Sequence, residues 1–190
     1  MNPKQRTARQ IILVTGAARS GKSEWAEILA AEMGNPVTYI ATAQVDSTDK
    51  EWQARIEKHQ QRRPSSWQVE EVPVELATTL DKSTPPDCLL VDSLGTWVAN
   101  LLTQDEKTWE KTAAQLLQSL QRTAVDVILV AEEAGWGVVP AYEAGRQFRD
   151  RLGMLVRQIG AIADRVYLVT GGYALDLSLL GQPLPGKGEG

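Results

Sequence analysis

The stretch Gly16-Ala17-Ala18-Arg19-Ser20-Gly21-Lys22-Ser23 constrains this chain more than any other. It follows the apolar run Ile11-Ile12-Leu13-Val14-Thr15 and precedes residues 24–33, whose apolar positions have helical spacing. This is G-x-x-x-x-G-K-S between a strand and a helix, the context in which the pattern cradles phosphate. Gly16 and Gly21 let the backbone curl so that successive N–H groups face one anion. The helix start adds its unpaired N–H donors and the positive end of its dipole. Lys22 is placed to neutralise β- and γ-phosphates, and Ser23 to offer a hydroxyl to Mg²⁺. A chain built around this loop is expected to bind a nucleoside triphosphate.

The remaining chain predicts strands separated by helices. Gly34-Asn35-Pro36 stops the first helix, and residues 37–42 read as a second buried strand. Thr48 with Glu51 resembles a capping box for a helix through about Arg62, ended by Pro64. Residues 67–72 alternate as an edge strand would. Cys88-Leu89-Leu90-Val91-Asp92 is a short apolar strand ending in an acid, followed by helical patterns at 96–102 and 107–122. Residues 125–131 form another strand, 135–140 a loop, 142–163 a long amphipathic helix and 166–170 the last core strand. Such alternation implies βαβ units, hence a P-loop NTPase-like three-layer α/β/α domain with a mostly parallel central sheet. One domain spans 1–190, with its core at about 11–170; residues 1–10 and 183–190 are expected to be disordered. Ligands in such folds sit beyond the carboxyl ends of the strands, where Gly16, Thr42, Asp92, Glu132 and Glu133 all fall.

Composition narrows the setting. A net charge of −4 supplies no broad positive field for a nucleic-acid partner. The lone cysteine, Cys88, rules out an internal disulfide and fits a reducing compartment. It lies in an apolar run and is expected to be a buried, inert thiol. No apolar run approaches the ~20 residues that span a bilayer, so no membrane insertion is expected and a cytoplasmic location is. An exposed edge strand favours a homo-oligomer.

Several residues beyond the loop can carry chemistry. Asp92, at the tip of a buried strand, can hold Mg²⁺ opposite Ser23; the alternative is a helix N-cap, and the loop's need for a metal-binding acid favours the first. His59, the single histidine, shares a helical face with Trp52 and Ile56, as a packing residue would. Arg55, Lys58, Arg62 and Arg63 surround it. Nearby cations disfavour imidazolium, leaving a neutral nucleophile beside guanidiniums that can clamp a triphosphate. On these residues alone packing and catalysis stand level. Glu132 and Glu133 could orient a hydroxyl, bind a second metal or cap a turn. Trp136, between two glycines, is the tryptophan expected to be exposed near the rim.

Together these residues make the sequence similar to the bifunctional adenosylcobinamide kinase/adenosylcobinamide-phosphate guanylyltransferase family of cobalamin biosynthesis, over about residues 11–170. The segments that carry the resemblance are 13–23, 39–43, Arg55-Ile56-Glu57-Lys58-His59 with Arg62-Arg63-Pro64 and Trp67, 90–92 with Trp97, Asn100 and Leu101-Leu102, 133–140, and 145–150 with Ala163-Asp164. The resemblance implies that adenosylcobinamide is phosphorylated with a nucleoside triphosphate, ATP or GTP. GMP then passes from GTP onto that phosphate through a guanylyl-histidine, which places His59 as nucleophile beside a catalytic Lys22. It also implies GTP contacts at Gly16, Ala17, Ala18, Arg19, Ser20, Gly21, Lys22 and Ser23, and at Ala41, Thr42 and Ala43. Gln60, Gln61, Arg62, Arg63, Glu71 and Asp92 complete that set, with Mg²⁺ at Ser23 and Asp92. The departures are Ala17 for a frequent glycine, and Glu132 and Val156 where asparagines are usual. The competing readings are a small-molecule kinase without guanylyl transfer and a nucleotide-sensing binding protein.

Overall fold

The computed structural model describes residues 9–43 and 63–184. The helix expected at 48–62, with His59, Gln60, Gln61 and Arg62, lies outside the described residues. Seven strands form one sheet in the order β3-β2-β4-β5-β1-β6-β7. They are β1 (Ile11–Gly16), β2 (Val37–Ala41), β3 (Gln68–Glu71), β4 (Cys88–Asp92), β5 (Asp126–Glu132), β6 (Arg165–Thr170) and β7 (Tyr173–Asp176). All pairings are parallel except β6 with β7. β1 is buried along its whole length, as the continuous apolar run of a strand covered on both faces requires.

Two apolar clusters sandwich the sheet. On one face lies α1 (Lys22–Glu32), packed across β1, β5 and β4 through Ala26, Leu29 and Ala30. The other face carries α2 (Leu76–Lys82), α3 (Leu94–Asn100), α4 (Glu106–Arg122) and α5 (Glu143–Gly160). α4 shows why a sequence with little net hydrophobicity still docks. Trp109, Ala113, Leu116 and Leu120 recur at three- and four-residue spacing and are buried, while Asp105 caps its start by accepting from the Thr108 N–H at 2.8 Å. The buried Arg151 of α5 donates to the Leu101 and Gln104 carbonyls and pairs with Glu106, tying the α3–α4 connection down.

The expected strands 67–72, 88–92 and 125–131 and the long helix 142–163 are found within a few residues of those limits. Three elements were not anticipated. α2 buries only Leu76 and Leu80 in seven residues, too short for a periodic signal. β7 and α6 (Leu177–Leu180) follow Gly171-Gly172, whose φ values of 58° and 81° make the tight turn of a hairpin. Arg165 closes that hairpin on Asp176 at 2.6 and 2.9 Å. Arg9 and Gln10 are tied to the fold by hydrogen bonds. Arg9 donates to the Gln121 carbonyl at 2.9 Å, and the Gln10 N–H donates to Asp126 at 2.7 Å. Cys88 is buried as expected, its Sγ 3.5 Å from Met33 Sδ. Among the described residues no helix is long and apolar enough to cross a membrane.

Candidate active site

The loop from β1 to α1 is held from both ends. At its start the Gly16 carbonyl accepts from the Glu133 N–H at 3.0 Å, and Thr15 Oγ1 donates to Glu133 Oε1 at 2.5 Å. At its end Gly21, with φ 94°, caps α1, and the Trp25 N–H reaches the Gly21 carbonyl at 2.9 Å. Arg19 also adopts a left-handed backbone, φ 61°, which a non-glycine residue takes only under local constraint. Lys22 is 8% exposed, and its Nζ donates to the Ala17 carbonyl across the loop at 3.3 Å. The ammonium is therefore folded over the loop rather than extended into solvent. Ser20 Oγ is sealed from solvent without a hydrogen-bond partner among the described residues. Buried hydroxyls rarely stay unpaired, and an oxygen-rich anion seated in the loop would supply the partner.

The sheet order changes how the acids relate to the loop. β4, which carries Asp92, is not the neighbour of β1; β5 lies between them, and its last residue, Glu132, is the register partner of Gly16. Side-chain alternation puts Asp92 on the same face as Leu90, the face covered by α1. The helix that begins with Lys22-Ser23 thus lies over the strand that ends in Asp92. The N-cap of α3 is Ser93, whose hydroxyl accepts from the Thr96 N–H at 3.3 Å, so Asp92 is not consumed as that cap. One hydroxyl and one carboxylate form a hard-oxygen donor pair suited to Mg²⁺ when phosphate oxygens and water complete the shell. Among the described residues no cluster of three or more acidic, histidine or cysteine side chains offers a self-sufficient metal cage.

Tyr39, which is not among the expected site residues, packs against the candidate acid Asp92. Its hydroxyl donates to Asp92 Oδ2 at 3.0 Å, and the guanidinium of Arg63 stacks on its ring at 3.6 Å from the centroid. Burial raises the phenol pKa far above its usual value, the Asp92 carboxylate adds to the rise, and Arg63 opposes it. The phenol therefore stays a donor that orients the acid. Tyr39 opens the segment 39–43 that carries the family resemblance, but a tyrosine two residues before a strand end gives no local sign of its bond to Asp92.

The remaining expected residues are distributed along the rim. Ala41 ends β2 and pairs with Asp92 on one side and Glu71 on the other. Glu71 is exposed at the end of edge strand β3. Thr42 is fully buried: its hydroxyl donates to the Ser93 carbonyl at 2.8 Å and accepts the Ser93 N–H at 2.9 Å, and its carbonyl accepts from Asn100 at 2.7 Å. That side chain clamps β2 to α3. Ala43 is half-buried where the description breaks off, and Arg63 is where it resumes. Glu132 Oε2 accepts the Gly95 N–H at 3.0 Å, so this carboxylate steadies the start of α3. Trp136 is exposed at 66%, as anticipated for a residue between two glycines.

A family model described as cobinamide kinase / cobinamide phosphate guanyltransferase matches residues 12–177. The chain is 43% identical to the bifunctional adenosylcobalamin biosynthesis protein CobP of Pseudomonas aeruginosa, over 93% of this chain and 97% of that one. It is 36% identical to the bifunctional adenosylcobalamin biosynthesis protein CobU of Salmonella typhimurium, over 88% of this chain and 99% of that one. A solved structure from Pyrococcus horikoshii OT3 superposes with a TM-score of 0.56 at 7% identity, over 88% of this chain and 85% of that one, a likeness of fold alone. With a family model matched over residues 12–177 and relatives 36–43% identical over 88–93% of its length, the chain belongs to the cobinamide kinase / cobinamide phosphate guanyltransferase family of enzymes.

Proposed function

We propose that the protein phosphorylates adenosylcobinamide with ATP or GTP, and then transfers GMP from GTP to adenosylcobinamide phosphate through a guanylyl-histidine at His59. In the first reaction the acceptor hydroxyl attacks the γ-phosphorus, the bond to the β-phosphate oxygen breaks, and the hydroxyl proton is lost. Lys22 and the loop amides spread the charge on the transferred group. In the second, a neutral imidazole nitrogen of His59 attacks the α-phosphorus of GTP and pyrophosphate leaves. An oxygen of the acceptor phosphate then displaces the imidazole, which regenerates His59. Bound Mg²⁺, held by Ser23 and Asp92, would withdraw charge from the phosphate oxygens.

The observation that carries the reading is the anchoring of Arg63. It stacks on Tyr39, whose hydroxyl donates to Asp92, so the chain re-enters the described fold beside the acid read here as the metal ligand. His59 precedes Arg63 by four residues, and covalent geometry limits that span to about 14 Å. Gln60, Gln61, Arg62 and Arg63 are assigned to the same nucleotide, together with Ala41, Thr42, Ala43 and Glu71 along the rim. Thr42 acts there by holding β2 against α3. The reading places the enzyme in the cytoplasm as a homo-oligomer.

Incubation with α-labelled GTP tests it. Label should remain on the protein, stable to base and lost in acid as a phosphoramidate is, and His59→Ala should abolish it. Unlabelled wild-type protein, or undiminished labelling of His59→Ala, overturns the guanylyl-histidine. Phosphorylation of adenosylcobinamide without any labelling would leave a kinase alone.

A further inference from the structure

Behind the phosphate loop a cavity of about 270 Å³ opens between the end of β5 and α5. Glu132, Glu133, Trp136, Arg149, Val156 and Arg157 are among the residues that line it. One wall is continuous with the phosphate loop, because Glu133 bonds both Thr15 and Gly16. Its charged groups are not equivalent. Glu132 Oε2 is engaged by the Gly95 N–H and Glu133 Oε1 by the Thr15 hydroxyl. Arg149 Nη1, in contrast, is sealed from solvent and has no hydrogen-bond partner among the described residues. A buried guanidinium donor left unpaired is costly, and turning the guanidinium end into the cavity would pair it with a bound anion.

We infer that this cavity is a subsite for the phosphomonoester end of the acceptor, with Arg149 as its principal anion contact and Arg157 beside it. The inference rests on the two-transfer reading above and specifies where the second acceptor is gripped. Ligand pockets usually begin near 300 Å³, so the volume suits one arm of a large acceptor and not its whole body. An acceptor arm seated here ends against Glu133, whose N–H bonds the carbonyl of Gly16, the first residue of the phosphate loop. The first transfer turns a neutral hydroxyl into a phosphomonoester carrying nearly two negative charges. A subsite that gains a partner for Arg149 at that moment retains the intermediate for the second transfer. Trp136, exposed at the mouth, offers an apolar plate to the portion of the acceptor that stays outside.

Isothermal titration of the full chain with adenosylcobinamide, adenosylcobinamide phosphate and GTP tests this. Arg149→Gln should weaken adenosylcobinamide phosphate binding by about 10- to 100-fold, the scale of a hydrogen bond to a charged group. Binding of adenosylcobinamide and of GTP should stay within about threefold of the wild type. Val156→Trp, which fills the cavity from α5, should weaken both corrinoids and spare GTP; retained GTP binding also reports that each variant is folded. Arg149→Lys should recover part of the loss. Wild-type affinity of Arg149→Gln for adenosylcobinamide phosphate would overturn the subsite. If the wild-type protein binds GTP and neither corrinoid, the functional reading itself fails and the subsite falls with it.

Discussion

Substituting the first glycine of the phosphate loop links fold and site most directly. A Cβ built on Gly16 would collide with the Val169 carbonyl oxygen of β6 and lie 2.6 Å from Ser20 Oγ, where ordinary contact begins near 3.4 Å. Ser20 can rotate away; a backbone carbonyl in a paired strand cannot. Clearing Val169 requires the loop start to shift on the order of 1 Å, an overpacking change that costs about 1–3 kcal/mol. For a chain of this length the melting temperature should fall by roughly 3–10 °C. The same shift strains the Gly16 carbonyl bond to the Glu133 N–H and misplaces amide donors that work only within about 2.7–3.2 Å of their acceptor. Gly16→Ala should therefore also weaken GTP binding at least about tenfold by titration calorimetry. Gly34→Ala is the control. Its φ of 72° imposes strain of about 1 kcal/mol, but nothing lies within 4 Å, so it should lower the melting temperature and leave GTP affinity unchanged. A Gly16→Ala protein with wild-type melting temperature and GTP affinity would refute the close-approach argument.

Lys22→Ala should abolish measurable GTP binding with little loss of stability, and GTP affinity retained within about threefold would contradict its role at the phosphates. Tyr39→Phe should lower stability to urea by about 1 kcal/mol by removing the Asp92 hydrogen bond, and should impair catalysis through a misoriented acid; unchanged urea stability argues against that contact. Because the fold raises the Tyr39 pKa, the protonated phenol is favoured in the native state. Its contribution is present below the unfolded value of about 10 and is lost as pH rises beyond it. The stability gap between wild type and Tyr39→Phe should thus narrow at strongly alkaline pH, and a constant gap would show that Tyr39 is not the group involved. Leu116→Ala, fully buried in the larger apolar cluster, should cost about 2–5 kcal/mol in denaturant unfolding without altering nucleotide affinity at permissive temperature.

What could be read in advance was what local pattern encodes. The glycines and lysine at 16–22 specify a phosphate loop because conformational freedom, amide direction and charge are properties of a short contiguous segment. The apolar runs 11–15, 88–91 and 125–131 announce buried parallel strands because both faces of such strands must be covered. Asp92 was legible as the acid at a strand tip. Assigning the α3 cap to Ser93 needed the backbone, since Asp and Ser are near-equal caps by composition.

Other features depend on pairings across the chain. That β5 lies between β1 and β4 follows from strand order, which no local segment carries, and it makes Glu132 and Glu133 the immediate neighbours of the loop. The Tyr39–Asp92 bond spans 53 residues and the Thr15–Glu133 bond 118. Arg149 lies in the segment 145–150 that carries the resemblance, but only packing shows its Nη1 sealed beside a cavity. The sequence by itself determined that a triphosphate-binding loop exists, because its chemistry is contiguous. Tertiary structure alone decided which carboxylate bonds that loop and which phenol and guanidinium pack on Asp92, because their energies arise from burial and contact between distant segments.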